Sequence, residues 1–226
     1  MPTELHLFTH EFAPFRGGIA SYCHEWASAA SQQIQSVTVH APSDAHAPVE
    51  RPTYRLVTHT YSRSHGWLNL FRSRRALQTC LQTAPQATYL LAEPGSILSY
   101  GLLAKQLSAT ELYLCLHGSE VLRWRSPSLE RHWALASMRA AKKILTVSEP
   151  IADLCRQSFP KFADKVQAVN NALPDATRTD CLHAQSIESA ANQANPAIAS
   201  NPTFHLLSVG RIHPRKGFHH VLEALS

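Results

Sequence analysis

The sequence predicts an α/β protein built on a doubly wound parallel sheet. Short apolar runs of strand length alternate with longer segments of helical period along most of the chain. This alternation is typical of successive β-α-β units, in which helices cover the faces of the sheet. Glycine-containing loops follow the first and the last predicted strand, as expected where a parallel strand leads into a helix.

Strands are predicted where four to six mostly apolar or β-branched residues stand between polar or turn-forming ones. These are residues 5–9, 36–40, 88–91, 111–116, 143–147 and 165–169, which give roughly six strands, and later 204–209. No strand is predicted between 42 and 66.

Helices are predicted where apolar residues recur at helical spacing, at 19–33, 67–82, 96–106, 128–141, 150–157 and 218–225. The second places Leu70, Phe71, Leu77 and Leu81 on one side, with Arg74 interrupting the stripe. Residues 175–202 are rich in Ala, Asn, Ser and Gln and lack periodicity, which predicts a linker or insertion. The predicted domains are therefore 1–174 and the start of a second domain at 203–226.

The composition predicts a soluble cytoplasmic protein. Five widely spaced cysteines form no CxxC pair, which favours reduced thiols. The first residues carry Glu4 and no basic stretch before an apolar run, so a secretory leader is not expected. A formal net charge of +5 suits nucleic acid, anionic lipid or phosphorylated substrates, but no nucleic-acid-binding module is recognisable, so we expect no nucleic-acid partner.

Two candidate sites follow predicted strands. Gly17 and Gly18 come after the first strand and precede a helix, where backbone amides can approach an anion; a tight turn without a ligand is the alternative. His117 and Glu120 follow the strand of 111–116, where a polar pair could act on a substrate. Ser119 or Glu120 acting as a helix cap is the alternative there.

The third candidate is the most specific stretch of the chain. Residues 208–217 run from a strand end through Gly210, Arg211 and Lys216 to Gly217. Arginine can bind phosphate oxygens in a bidentate manner and lysine adds a point charge. The stretch therefore suits a diphosphate, and a solvated basic turn is the alternative.

Metal and membrane binding have weaker signatures. His24-Glu25 is followed by Ser28 where a zinc helix needs a second histidine, and His219 and His220 are adjacent, so no metal site is predicted. Residues 65–75 and 123–143 combine Trp with Arg, which suits a helix at a membrane surface. Packing of these helices on the sheet is the alternative, so contact with the inner face of the membrane stays open.

In this order, the landmarks resemble the family 4 glycosyltransferases, which have the GT-B fold of two Rossmann-like domains. The family motifs are matched by Pro14-x-x-Gly17-Gly18, by the strand ending in His117-Gly118 and by Val147-Ser148-Glu149 before a helix. The turn at 169–174 and the Gly210-Arg211…Lys216-Gly217 loop follow in the family's order. The resemblance covers nearly the whole chain except 42–66 and the linker.

The resemblance implies a retaining transferase, of hexosyltransferase type, that moves a sugar from a nucleoside diphosphate sugar to an acceptor hydroxyl without a metal or other cofactor. It implies that His117 contacts the donor sugar, that Gly210, Arg211 and Lys216 hold the diphosphate, and that Gly17 and Gly18 line the cleft. Glu120, Ser148 and Glu149 would lie on the cleft or acceptor side. The acceptor would be a carbohydrate or a lipid-linked sugar in the synthesis of surface polysaccharide or glycolipid.

Two departures from the family pattern bear on activity. Asn171 stands where glycine is usual, and asparagine tolerates the left-handed conformation of that turn. The family's paired glutamates do not follow residue 217, so we expect a truncated second Rossmann domain and a chain that is inactive or weakly active alone. The alternative is a non-catalytic acceptor- or partner-binding module that pairs with a separately encoded C-terminal half.

Overall fold

The computed structural model describes residues 3–15, 17–50, 52–62, 66–104, 111–171 and 218–224. The chain divides into two compact units, Met1–Ala172 and Leu173–Ser226. In the second unit the described part is a short helix over Phe218–Ala224, where the sequence predicts a helix over 218–225. The predicted strand at 204–209 and the linker at 175–202 lie outside the described residues, so the predicted domain boundaries stay a prediction.

A seven-stranded, fully parallel sheet forms the centre of the first unit, in the order β3-β2-β1-β4-β5-β6-β7. The strands are β1 (Glu4–Phe8), β2 (Ser36–Ala41), β3 (Arg55–Thr58), β4 (Thr88–Leu91), β5 (Glu111–Leu116), β6 (Lys143–Thr146) and β7 (Val166–Ala168). The predicted fold class, a Rossmann-like doubly wound parallel sheet, is confirmed for this unit. The direction of the winding reverses between β1 and β4, the place where open α/β sheets form a crevice.

The helices are α1 (Gly18–Ala30), α2 (Trp67–Thr83), α3 (Pro94–Gly101), α4 (Ser119–Arg123), α5 (Leu129–Ala140) and α6 (Glu149–Ser158), with a 3₁₀ turn at Pro160–Lys165. Buried residues of α1 pack with Leu5, Leu7, Val37 and Val39 on one face of the sheet. Buried residues of α2, α3, α5 and α6 pack on the other face, around Phe8, Tyr89 and Leu114. Right-handed crossovers produce this division, because the chain moves outward from β1 in opposite directions before and after α2.

Three sequence predictions about the elements are wrong. The roughly six predicted strands omit β3, a half-buried strand that pairs with β2 at the edge of the sheet formed by the described residues. Phe71, predicted on the apolar side of α2, is 48% exposed, and Ser73 lies in the buried stripe instead. The helix predicted at 96–106 begins earlier, at Pro94, because Glu93 caps it by accepting hydrogen bonds from the amides of Gly95 and Ser96.

Candidate functional site

The carboxyl ends of β1, β4, β5 and β6 lie next to one another at one edge of the sheet. Neighbouring strands are about 4.8 Å apart, so the loops after β1 and β5 are separated by about 10 Å. Gly17 and Gly18 follow β1, His117 and Glu120 follow β5, and Ser148 and Glu149 follow β6. The topology therefore gathers every described candidate residue at this edge.

His117 is held in one tautomer by the backbone of the neighbouring strand. Its Nε2 lies 2.9 Å from the carbonyl oxygen of Ala92, and a carbonyl can only accept, so Nε2 carries the proton. In the neutral form of this half-buried ring the lone pair is then on Nδ1, for which no partner is found in the part of the chain that the structure describes. His117 can thus accept a hydrogen bond from a hydroxyl group.

Tyr22 of α1 connects His117 to the glycine loop. Its ring meets the ring of His117 edge-on, with 5.1 Å between centroids, and its hydroxyl accepts a hydrogen bond of 3.3 Å from the thiol of Cys115. Burial raises the pKa of Cys115 to about 12, and it raises the pKa of Tyr22 well above the usual range of a tyrosine. Both groups are therefore neutral near pH 7, and the wall beside His117 is an uncharged one.

Glu120 holds the turn that carries His117. Its side chain is 2% exposed, and Oε1 accepts hydrogen bonds from the amides of His117 and Gly118. Ser119 donates its hydroxyl to Oε2 at 3.2 Å. The carboxylate thus satisfies backbone donors at the start of α4, the capping alternative recognised in the sequence, and positions His117 rather than facing open solvent.

The glycine loop leads into an uncapped helix N-terminus. Gly17 is the N-cap of α1 in an extended conformation and provides no side-chain cap. A Cβ on Gly17 would lie 2.5 Å from the Phe15 ring, whereas a Cβ on Gly18 would meet nothing within 4 Å. The exposed first turn of α1 therefore leaves backbone N–H groups for an anion or a hydroxyl ligand.

Ser148 and Glu149 begin α6 at the same edge. Ser148 is the N-cap of α6, and its hydroxyl makes no capping hydrogen bond. Glu149 is exposed and pairs with Arg156 at 2.8 Å. Gly210, Arg211 and Lys216 lie outside the described residues, so their predicted role in binding a diphosphate stays a prediction.

Sequence reasoning missed a buried polar pair at the point where the winding reverses. Glu93 follows β4, is fully buried, and accepts hydrogen bonds from the amides of His10 at 3.2 Å and of Gly95 and Ser96 at 2.6 Å each. The ring of His10 stacks on Tyr61 and lies 2.8 Å from the hydroxyl of Ser73. A Glu-Pro pair directly after an apolar strand was the available signal, because it is a helix-start pattern.

Comparison with known proteins identifies the family of this chain. The family model described as Glycosyltransferase Family 4 matches residues 16–176. The chain belongs to glycosyltransferase family 4. The match spans the glycine loop after β1, the His117 turn and the start of α6, so the family is recognised over the same loops that meet at the carboxyl edge of the sheet.

Solved structures of the Anabaena protein HepE share the fold. HepE with UDP and glucose superposes with a TM-score of 0.55 at 14% identity, over 76% of this chain and 45% of HepE. HepE with UDP-glucose gives 0.54 at 12% identity, over 75% and 44%. The chain thus spans less than half the length of these structures. No protein of curated function matches it in sequence.

No helix in the described part of the chain has both the length and the apolar character needed to cross a bilayer. The tryptophans of the two basic stretches, 65–75 and 123–143, differ in their exposure to solvent. Trp67 of α2 is 56% exposed, whereas Trp124 is fully buried. Trp124 therefore follows the alternative left open in the sequence, packing in the core, while the start of α2 presents an aromatic surface.

Proposed function

We propose that this chain forms the acceptor-side part of a retaining glycosyltransferase that moves a hexose from a nucleoside diphosphate sugar to an acceptor hydroxyl. The observation that carries the proposal is the fixed tautomer of His117 at the carboxyl edge of the sheet. A histidine whose Nε2 proton is committed to a backbone carbonyl offers Nδ1 to a sugar hydroxyl in a constant orientation. Such pre-positioning lowers the barrier to transfer by holding the donor sugar in its reactive pose.

The glycine loop and the start of α6 are suited to binding the other parts of the substrates. The uncapped first turn of α1 provides amide donors for an oxygen-rich ligand. Ser148 and Glu149 follow β6, which is three strands from β1 at the same edge, and their side chains could orient an acceptor there. Arg211 and Lys216, with the backbone of Gly210, would hold the diphosphate and offset the charge of the leaving group; in this mechanism the positive side chains take the place of a metal ion.

The acceptor side is proposed to meet the inner face of a membrane through the start of α2. Trp67, Leu68 and Phe71 are 56%, 64% and 48% exposed, and Arg72 and Arg75 are exposed beside them. Exposed aromatic and apolar groups flanked by arginines favour an anionic lipid surface. A lipid-linked acceptor for polysaccharide or glycolipid synthesis would be presented at such a surface.

The first experiment measures transfer of labelled sugar from a panel of nucleoside diphosphate sugars to endogenous lipid in lysates of source cells whose own copy is replaced by the tested variant, because the chain alone is expected to be inactive or weakly active. His117→Ala is expected to lower the transfer rate by about 100-fold or more, because removing one stabilising contact at the reacting sugar costs on that order. His132→Gln is the matched control, since His132 is exposed on α5 and is not among the residues assigned to the site. Equal rates in the His117 variant and the control would refute the assigned role.

Two further measurements separate the parts of the proposal. Product stereochemistry, read by NMR of the anomeric proton, decides between retention and inversion. Flotation with vesicles containing anionic lipid tests the membrane face: Trp67→Ala with Phe71→Ala should reduce binding, whereas Leu129→Ala, at an equally exposed leucine of α5, should not. Unchanged flotation in the double variant would refute membrane contact and leave the transfer reaction untouched.

A further inference from the structure

Three histidines and a glutamate form a continuous hydrogen-bonded row on the α2 side of the sheet. His6 Nε2 lies 3.1 Å from Glu4 Oε1, His6 Nδ1 lies 2.8 Å from His40 Nε2, and His40 Nδ1 lies 2.9 Å from His59 Nε2. His6 and His40 are 8% and 4% exposed. None of these residues belongs to the candidate transfer site, so the row needs another explanation.

The glutamate fixes the direction of every hydrogen bond in the row. Because a carboxylate can only accept, His6 carries its proton on Nε2 and its Nδ1 accepts from Nε2–H of His40. His40 Nδ1 then accepts from Nε2–H of His59. All three rings are neutral in this arrangement, in agreement with burial lowering the pKa of His6 and His59 and lowering that of His40 to about 2.

A thiol completes the cluster. Cys80 of α2 places Sγ 3.8 Å from His40 Nε2, and ligand atoms of His6, His40 and Cys80 all lie within 4.8 Å of one another. Two imidazole nitrogens and a sulfur are ligands that Zn²⁺ and related borderline ions prefer. The three residues come from β1, β2 and α2, so the fold rather than any sequence motif brings them together.

We propose that His6 Nδ1, His40 Nε2 and Cys80 Sγ form a site for a divalent ion of the zinc class, with water as a fourth ligand. Bond lengths of about 2.0–2.1 Å to nitrogen and about 2.3 Å to sulfur require separations of about 3.4 Å between the nitrogens and about 3.6 Å between nitrogen and sulfur. The two nitrogens, now 2.8 Å apart, must therefore separate, and the sulfur, now 3.8 Å from His40 Nε2 and within 4.8 Å of the His6 ligand atom, must approach. Each change is about 1 Å or less, which side-chain rotation can supply.

The hydrogen bonds outside the cluster match what metal-bound histidines need. With the ion on His6 Nδ1, the Nε2–H already donates to Glu4, and with the ion on His40 Nε2, the other nitrogen faces His59. Outer partners of this kind orient metal-binding imidazoles and raise their basicity. The charges also balance, because the thiolate of Cys80 and the carboxylate of Glu4 together offset the two positive charges of the ion, and the nearby Arg55 is solvent-exposed.

Binding should release one proton per ion. The proton of His40 leaves Nε2 for Nδ1 and is donated to His59 Nε2, whose own proton moves to Nδ1, so the imidazoles keep three protons. Cys80 must become a thiolate to form the sulfur–metal bond, and its proton goes to solvent.

The test titrates the chelator-treated full chain with Zn²⁺ and with Co²⁺. Calorimetry in buffers of different ionisation enthalpy should give one ion and one released proton per chain, and Co²⁺ should show thiolate-to-cobalt charge transfer together with the visible bands of tetrahedral coordination. Cys80→Ser should abolish the charge-transfer band and weaken Zn²⁺ binding by more than about 100-fold, and His59→Gln should keep the band and weaken binding about 10–100-fold.

Two control variants exclude other sites. Cys155→Ala removes a buried thiol of α6, a helix that packs beside β6 and β7 rather than beside β1 and β2. The double change His219→Gln with His220→Gln removes adjacent histidines on the helix at 218–224. Both changes should leave affinity and spectrum unchanged. An octahedral Co²⁺ spectrum without charge transfer in the unaltered chain would overturn the proposal. So would loss of binding in the His219/His220 variant, which would identify an adventitious surface site.

Discussion

Gly118 lies in the turn between β5 and α4, with φ at +115° and ψ at −45°. We expect a side chain at this position to lower the free energy of unfolding. This backbone conformation is open to glycine and is rarely adopted by residues with a Cβ. A Cβ would also lie 3.1 Å from Cδ1 of Ile151. Gly118→Ala therefore introduces backbone strain and a close contact at the turn that carries His117.

The strain sets the size of the effect. A non-glycine residue held in a sparsely populated backbone region costs about 1–3 kcal/mol. The contact adds less, because the end of the Ile151 side chain can shift by a few tenths of an ångström. We expect the free energy of unfolding to fall by about 2–3 kcal/mol, which corresponds to a Tm lower by about 4–12 °C in a chain of this size.

Urea unfolding followed by circular dichroism, with thermal melts alongside, measures the effect. Gly18→Ala is the matched control, because a Cβ there meets nothing within 4 Å at the first residue of α1, and alanine gains helix propensity. Its stability should be unchanged or higher by up to about 1 kcal/mol. If the Gly118 and Gly18 variants were equally stable, the strain argument would be refuted.

A double-mutant cycle separates strain from contact. Combining Gly118→Ala with Ile151→Ala removes the contact and leaves the backbone conformation unchanged. If strain dominates, the coupling between the two changes should be small compared with the loss caused by Gly118→Ala alone. Full recovery of the loss in the double variant would show that the contact, not the backbone, was responsible.

Three further outcomes are expected. Gly101→Ala should cost ~3 kcal/mol or more in urea unfolding, since its Cβ would lie 2.2 Å from the backbone oxygen of Trp133; near-native stability would contradict this packing. Glu120→Ala should lower the free energy of unfolding by about 2–3 kcal/mol. Glu120→Gln should lower it by less than half of that, because the side-chain oxygen of glutamine can still accept hydrogen bonds from the backbone amides of the His117 turn. Equal losses in the two variants would contradict the capping role. In metal-free protein, the urea midpoint should fall as pH decreases below about 6.5. Burial lowers the pKa of His40 to about 2 in the folded chain, so only the unfolded chain takes up the proton, and the free energy of unfolding falls by up to about 1.4 kcal/mol per pH unit. His40→Gln should flatten this dependence, and His132→Gln should not.

Much of the fold could be predicted because local patterns carried it. The strands at 88–91 and 111–116 are apolar runs between polar segments, and their bounds agree with β4 and β5. The edge strand β3 could not be predicted in this way, since Arg55–Thr58 is short and half-buried and, among the described strands, pairs with β2 on one side. An edge strand is defined by its neighbour, and here that neighbour is β2.

The candidate site could likewise be predicted only in part from the sequence. His117 was accessible to sequence reasoning because a histidine directly after a buried strand must lie at the carboxyl edge of a parallel sheet. Its tautomer was not, because Ala92, which fixes it, is 25 residues away along the chain. The two roles open for Glu120 could be separated only when its oxygens were found on the amides of its own turn.

The sequence by itself determined the alternation of strands and helices, the Gly loops and the order of the family motifs, because these depend on residues adjacent in the chain. Only the tertiary structure decided which strands are neighbours, that Phe71 is exposed, and that His6, His40 and Cys80 meet. His6 and His40 are 34 residues apart and Cys80 lies 40 residues from His40. Such pairings arise when helices pack on the sheet to bury apolar surface. Because this packing joins residues that are distant in the chain, the polar residues that it brings together show no local sequence pattern.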